Sequence, residues 1–210
     1  NLRRNVLLLG ARMTKRLRVC ILHANRVEKD FRLKKTVYFF SKYGAEVTIV
    51  TFPWNKVSNP DEWPCDFVYC GAQTYPIKPS NNKRWILRVL FNIVFMSPQK
   101  CFSKLFSPGF GLGKEALKIN ADLYYVVNIE TVKEGLRILK KKSVPIIYDA
   151  YELFPRLLKK DFYFPNRKKS NQYYRFEKSL VNHSFVSTIV VNEEIADKYS
   201  IEYGCKRPNI

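Results

Sequence analysis

The stretch "VPIIYDAYELFP", Val144 to Pro155, opens as an apolar run and ends in Asp149, Tyr151 and Glu152. Two carboxylates and a phenol at the end of a buried strand supply hydrogen-bond acceptors, a donor and a flat stacking face for a hydroxyl-rich ligand. An unperturbed phenol titrates at about 10, so Tyr151 suits stacking or hydrogen bonding rather than proton abstraction near neutral pH. A purely structural reading is also open, in which Asp149 caps the following helix and Tyr151 packs. Asp30 and Arg32 form a second polar pair, at the head of "DFRLKKTVYFFSKYG". An acid at the positive end of a helix is favourable in its own right, so this pair also reads as a plain helix start. Asn128 and Glu130 follow a third apolar run, "DLYYVV". No catalytic residue is assigned among them.

The elements that must position these residues alternate. "LRVCILH" reads as a first strand, "KDFRLKKTVYFFSKYG" as a helix with Phe31, Leu33, Val37 and Phe40 near helical spacing, and "EVTIVTF" as a second strand. That is a strand–helix–strand unit within about forty residues. A Pro-punctuated region from Pro53 to Asn82 holds one short strand candidate, "DFVYCG". The alternation then resumes through "GKEALKINA", "DLYYVV", "TVKEGLRILKKK", "VPIIYD", "RKKSNQYYRFEKSLVNHS", "STIVV" and "NEEIADKYSIEYG". Asn192 is a natural N-cap for the last helix and Gly204 its stop. The pattern predicts an α/β domain: a Rossmann-like, doubly wound, mostly parallel sheet with helices on both faces. Parallel strands deliver their exits to one edge, so His23, Asn128, Glu130, Asp149, Tyr151 and Glu152 are expected along one exposed cleft, bordered by Asp30 and Arg32.

Several chemistries are not signalled. The turn after the first strand, "HANRVEKDFR", has no glycine, so a G-x-G-x-x-G dinucleotide site is disfavoured, and no P-loop occurs. There is no Asp-x-Asp pair for a metal-bridged nucleotide sugar and no G-x-S-x-G elbow. His23 and His183 lie far apart, and no zinc spacing appears, so no metal is expected. Five cysteines without a C-x-x-C pair fit a reduced, cytoplasmic chain better than a disulfide framework. The 210 residues carry 37 Lys and Arg against 18 acids, a formal charge of +19. That surplus favours an anionic partner without choosing among nucleic acid, membrane and phosphorylated ligands.

Three blocks resemble one family. "KDFRLKKTVYFFSKYGAEVTIVTF" is similar to the opening of family-four-like glycosyltransferases of the GT-B fold, with Asp-x-Arg leading a helix and then Gly-x-x-Val. "ADLYYVVNIETVKEGLRILKKKSVPIIYDAYELFP" resembles their central block, where a strand ends in Tyr-Asp-x-His-Glu; Tyr151 stands at the His position. "YYRFEKSLVNHSFVSTIVVNEEIADKYSIEYGCKRPNI" resembles the end of their N-terminal domain. The likeness spans Leu17 to Ile210. It departs from the family at the Gly-rich turn after the first strand, here "HANRVEKD".

The resemblance implies the acceptor-side half of a hexosyltransferase-type enzyme of polysaccharide biosynthesis. Such an enzyme moves a sugar from a nucleotide sugar, which needs no further cofactor, to a surface-glycan or lipid-linked acceptor. It implies that a second, C-terminal domain holds most of the donor, so that this half alone is inactive. Asp30, Arg32, Asn128, Glu130, Asp149, Tyr151 and Glu152 are the expected substrate-binding residues. Residues 1–12 read as a tag or disordered extension, 13–205 as the Rossmann-like domain and 206–210 as the start of an interdomain linker. The segment from Lys83 to Phe110 is apolar from Trp85 to Met96, with basic flanks. It falls short of the about 20 residues that span a bilayer. It reads either as a buried helix or as a docking element on the inner face of an anionic membrane, with Trp85, Leu90, Phe91, Arg84 and Arg88 in contact. The competing function is a basic Rossmann-like module for nucleic acid or phosphorylated ligands. The scattered basic residues and the lack of a nucleic-acid motif disfavour nucleic acid.

Overall fold

A computed structural model of the chain describes residues 16–70, 111–153 and 167–210. Residues 1–12 and the Lys83–Phe110 segment, with its proposed membrane contacts Arg84, Trp85, Arg88, Leu90 and Phe91, lie outside the described residues.

Among the described residues six strands form one parallel sheet: β1 (Arg18–Leu22), β2 (Glu46–Thr51), β3 (Asp66–Tyr69), β4 (Leu123–Val127), β5 (Ile146–Ala150) and β6 (Val186–Val190). Their order is β3-β2-β1-β4-β5-β6, every neighbouring pair parallel. This is the doubly wound order that reverses between β1 and β4. The α-helices of the described residues are α1 (Phe31–Lys42), α2 (Leu112–Ala116), α3 (Asn128–Leu139), α4 (Arg167–Val181) and α5 (Glu193–Tyr203).

Strand alternation sends successive side chains to opposite faces and so builds two cores. Val19, Ile21, Ile49, Tyr125 and Val127 pack under α1, which contributes Leu33, Val37 and Phe40. On the other face Cys20, Leu22, Tyr124, Val126, Ile146 and Tyr148 meet α2, α3, α4 and α5. The expected helices on both faces are therefore present. α3 lies close to the sheet because it carries Gly135, where a Cβ would come within 3.2 Å of Val126 and 3.4 Å of Leu180.

Local signals account for most boundaries. Asp30 caps α1, its side chain accepting from the Leu33 N–H, and Asn192 caps α5 in the same way through Ile195. Gly204 ends α5 at φ 62°, the left-handed conformation that suits glycine. Beyond it the chain turns back along β6: Asn209 N–H donates to Thr188 O, and Val190 N–H to Asn209 O.

One expectation shifts. α3 was expected from Thr131 but begins at Asn128, directly at the end of β4. Asn128 takes φ 63°, so one left-handed residue replaces a loop. Phe31, which falls near helical spacing with Leu33, Val37 and Phe40, is nonetheless 78% exposed. Leu33, Val37 and Phe40 already complete the one face that the helix turns inward.

Candidate functional site at the carboxyl edge of the sheet

β1, β4 and β5 are adjacent and parallel, so their carboxyl ends meet at one edge. His23 follows β1, Asn128 follows β4, and Asp149 and Tyr151 close β5. α1 begins beside them, because Asp30 and Arg32 lie at its N-terminus.

Five of these side chains form one network. Asp30 Oδ1 accepts from the Leu33 N–H at 2.9 Å, and its Oδ2 accepts from the Tyr151 hydroxyl at 2.8 Å. His23 Nε2 stands 2.9 Å from the same Oδ2, and His23 Nδ1 3.1 Å from the backbone oxygen of Asn25. Both ring nitrogens thus face acceptors. A neutral imidazole donates to only one of them, and a doubly protonated ring to both. Arg32 places its guanidinium 2.5 Å from Asp149 Oδ1 and 4.7 Å from the centre of the Tyr151 ring. The Tyr125 hydroxyl donates to Asp149 Oδ2 at 2.5 Å.

The electrostatics separate the two acids. Burial pushes the Asp30 carboxyl up, but hydrogen bonds from His23, the Leu33 N–H and Tyr151 outweigh it and hold Asp30 below the usual carboxylate range. Asp149 goes the other way: burial raises it, and Tyr125 and Arg32 only partly offset that rise. Burial and the neighbouring Asp30 and Asp149 charges push the Tyr151 phenol far above its ordinary value, so it is a fixed donor and not a base.

A second group spans the point where the strand order reverses. The Asn25 side-chain amide, after β1, reaches Glu130 Oε1, after β4, at 3.4 Å. Glu130 is held up by burial and, to a lesser degree, by the Glu152 charge, although its own backbone N–H, the Asn25 amide and His23 pull it down. Asn128 is 8% exposed. Asn128 Oδ1 and Glu130 Oε2 are buried acceptor oxygens with no hydrogen-bond donor. Buried acceptors are nearly always paired, so these two require a reason.

The expected residues therefore gather at one edge, but not all as an exposed rim. Asp149 and His23 are each 1% exposed and form the floor. Asp149 is buried because β5 alternation turns Asp149 and Tyr151 to the α1 face, where Arg32 and Tyr125 cover the carboxylate. Glu152 is exposed and outside the network; its backbone oxygen accepts from Tyr199 at 3.4 Å. Tyr125 and Asn25 were not singled out in the sequence. Tyr125 was within reach of a pattern argument, since β4 alternation puts it on the same face as Asp149. Among the described residues no group of three or more His, Cys, Asp or Glu is arranged to hold a metal ion. Cys20, Cys65 and Cys70 are free thiols, each pushed up to about 12 chiefly by burial, which makes them poor nucleophiles.

No family model matches the sequence, and no curated protein matches it. Among solved structures the chain is similar to sucrose-phosphate synthase from Thermosynechococcus elongatus. The TM-score is 0.57 at 12% identity, over 92% of this chain and 47% of that one. A second structure of that synthase, from twinned crystals, gives a TM-score of 0.50 at 10% identity, over 91% of this chain and 85% of its own. The chain thus spans about half the length of the first of these structures (47%). Likeness at such identity speaks to fold and not to chemistry. The chain has the Rossmann-like α/β fold of one part of a GT-B glycosyltransferase.

Proposed function

We propose that this chain is the acceptor-binding half of a glycosyltransferase that transfers a hexose from a nucleotide sugar to a surface-glycan or lipid-linked acceptor on the cytoplasmic side of a membrane. The observation that carries the reading is the pair of unpartnered acceptors, Asn128 Oδ1 and Glu130 Oε2, at the reversal of strand order on a GT-B-type fold. Open α/β sheets bind ligands at that point, and sugar hydroxyls are the donors such oxygens lack.

Each polar residue then has a task. Asn128 and Glu130 accept from acceptor hydroxyls, and Glu152 adds a carboxylate at the rim. Arg32 presents a guanidinium held by Asp149 and by the Tyr151 face, and Asp30 fixes the Tyr151 hydroxyl. Asp149 acts through Arg32 and Tyr125 and is a positioning residue. Among the described residues no cluster of cations or backbone N–H groups is aimed at a leaving diphosphate, and in this reading that work falls to a second domain that holds the donor.

Calorimetry on this chain tests the reading. Short oligosaccharide acceptors or polyprenyl-phosphate saccharides are expected to bind, and Glu130→Gln to weaken them several-fold. UDP-glucose and GDP-mannose are expected to bind weakly or not at all. Micromolar binding of a nucleotide sugar to this chain alone would overturn the assignment of the donor to another domain.

A further inference from the structure

The outer face of α1 carries four exposed aromatic side chains: Phe31 at 78%, Tyr38 at 46%, Phe39 at 39% and, at the helix end, Tyr43 at 52%. Lys35 and Lys42 are exposed on the same face. At 100° per residue the two lysines run down the middle of the stripe, with Phe31 and Tyr38 on one side and Phe39 and Tyr43 on the other. Phe39 and Tyr43 pack on each other with ring centres 4.8 Å apart. α1 has four cations, Arg32, Lys34, Lys35 and Lys42, and no acid. Tyr38 ties α1 to the neighbouring loop by donating its hydroxyl to Glu62 O at 2.8 Å; the core does not account for the rest of the stripe, because Leu33, Val37 and Phe40 are the residues that face the sheet.

We propose that this face of α1 docks on an anionic lipid bilayer. A helix with rings and lysines on its outward face suits the headgroup layer: the rings enter the acyl boundary while the lysine stems bend their ammonium groups to lipid phosphates. Charge complementarity chooses the occupant. The cores of protein–protein interfaces are depleted in lysine, yet here lysines occupy the centre of the patch. Single-stranded nucleic acid is held in grooves that track its backbone, whereas the outside of a helix is convex. The chain's formal charge of +19 adds long-range attraction to a negative surface. The docked helix holds its own N-terminus, where Asp30 and Arg32 join the polar network, against the bilayer surface. The docking does not depend on the transferase reading, since it concerns lipid affinity alone.

Co-sedimentation with vesicles tests it. The protein is expected to pellet with phosphatidylglycerol-containing vesicles, far less with pure phosphatidylcholine, and less as salt rises. Lys35→Ala with Lys42→Ala is expected to weaken binding by about thirtyfold. Phe31→Ser with Phe39→Ser is expected to weaken it by roughly tenfold or more, with an unchanged circular-dichroism spectrum. Ile201→Ser, at a residue 84% exposed on α5, is the control and is expected to bind like the wild type. The proposal fails if the wild type does not pellet, if both double variants bind as the wild type does, or if Ile201→Ser loses as much. It fails equally if the stripe variants change only the oligomeric state or only the binding of a single-stranded oligonucleotide.

Discussion

Arg32 sits 2.5 Å from Asp149 Oδ1, with its own side chain 30% exposed and its partner's 1% exposed. The pair is lopsided: the cation is still partly in water, while the anion has left it. Breaking it from the two sides should therefore differ in cost. Arg32→Ala strands a buried carboxylate, and Asp149→Asn strands a cation that can turn to solvent.

Arg32→Ala is expected to lower stability by about 2 kcal/mol at neutral pH, and Asp149→Asn by less. The pH dependence follows from the direction of the Asp149 shift. Its folded carboxyl is already raised by burial, so the linked stability is full at low pH and is lost as pH rises through the folded value. Without Arg32 that value rises further. The deficit of Arg32→Ala should grow from acid to neutral pH in urea titrations. A deficit that is constant with pH would mean that Asp149 does not feel the guanidinium.

The network was only half legible in the sequence. Apolar runs ending in Asp149 and Asn128, together with strand–helix alternation, placed both residues at one edge, since parallel strands leave the sheet together. Asn192 and Gly204 could be read as caps from residue type alone. What pattern could not supply was burial. Whether Asp149 lines a cleft or its floor depends on Tyr125 and Arg32 covering it, and those contacts come from three different elements. Phe31 shows the converse: periodicity marks an apolar residue but does not say how much of a helix the sheet can cover.

Asn128 offers a backbone prediction. Its φ of 63° is open to Gly, which has no Cβ, and to Asn, whose short polar side chain tolerates it, but strains other residues. Asn128→Ala should be less stable than Asn128→Gly by about 1 kcal/mol in thermal or urea denaturation. Both variants lose the Oδ1 acceptor, so both should bind saccharide equally poorly. Equal stability of the two would show that the left-handed turn at the start of α3 relaxes freely.

Glu177 on α4 is the sharpest case of a polar group that sequence reasoning passed over. It is fully buried and accepts hydroxyls from Tyr148 at 2.6 Å, from Tyr199 at 2.5 Å and from Tyr203. The cluster ties β5, α4 and α5 together beneath the edge that carries the candidate site. Burial pushes the Glu177 carboxyl up, and the three phenols only partly offset this. Its linked stability is therefore present in the acid range and is lost as pH rises through the folded value. Glu177→Gln has one carbonyl oxygen for three phenol donors and should cost about 1–3 kcal/mol. The gap to the wild type should be widest at acid pH and narrow as pH rises, because only the wild type then ionises a buried acid. A double-mutant cycle with Tyr203→Phe separates this cluster from generic packing. Loss of the Tyr203 hydroxyl should cost less in the Glu177→Gln background than in the wild type. Strict additivity of the two substitutions would show that the phenol and the carboxylate do not act on each other.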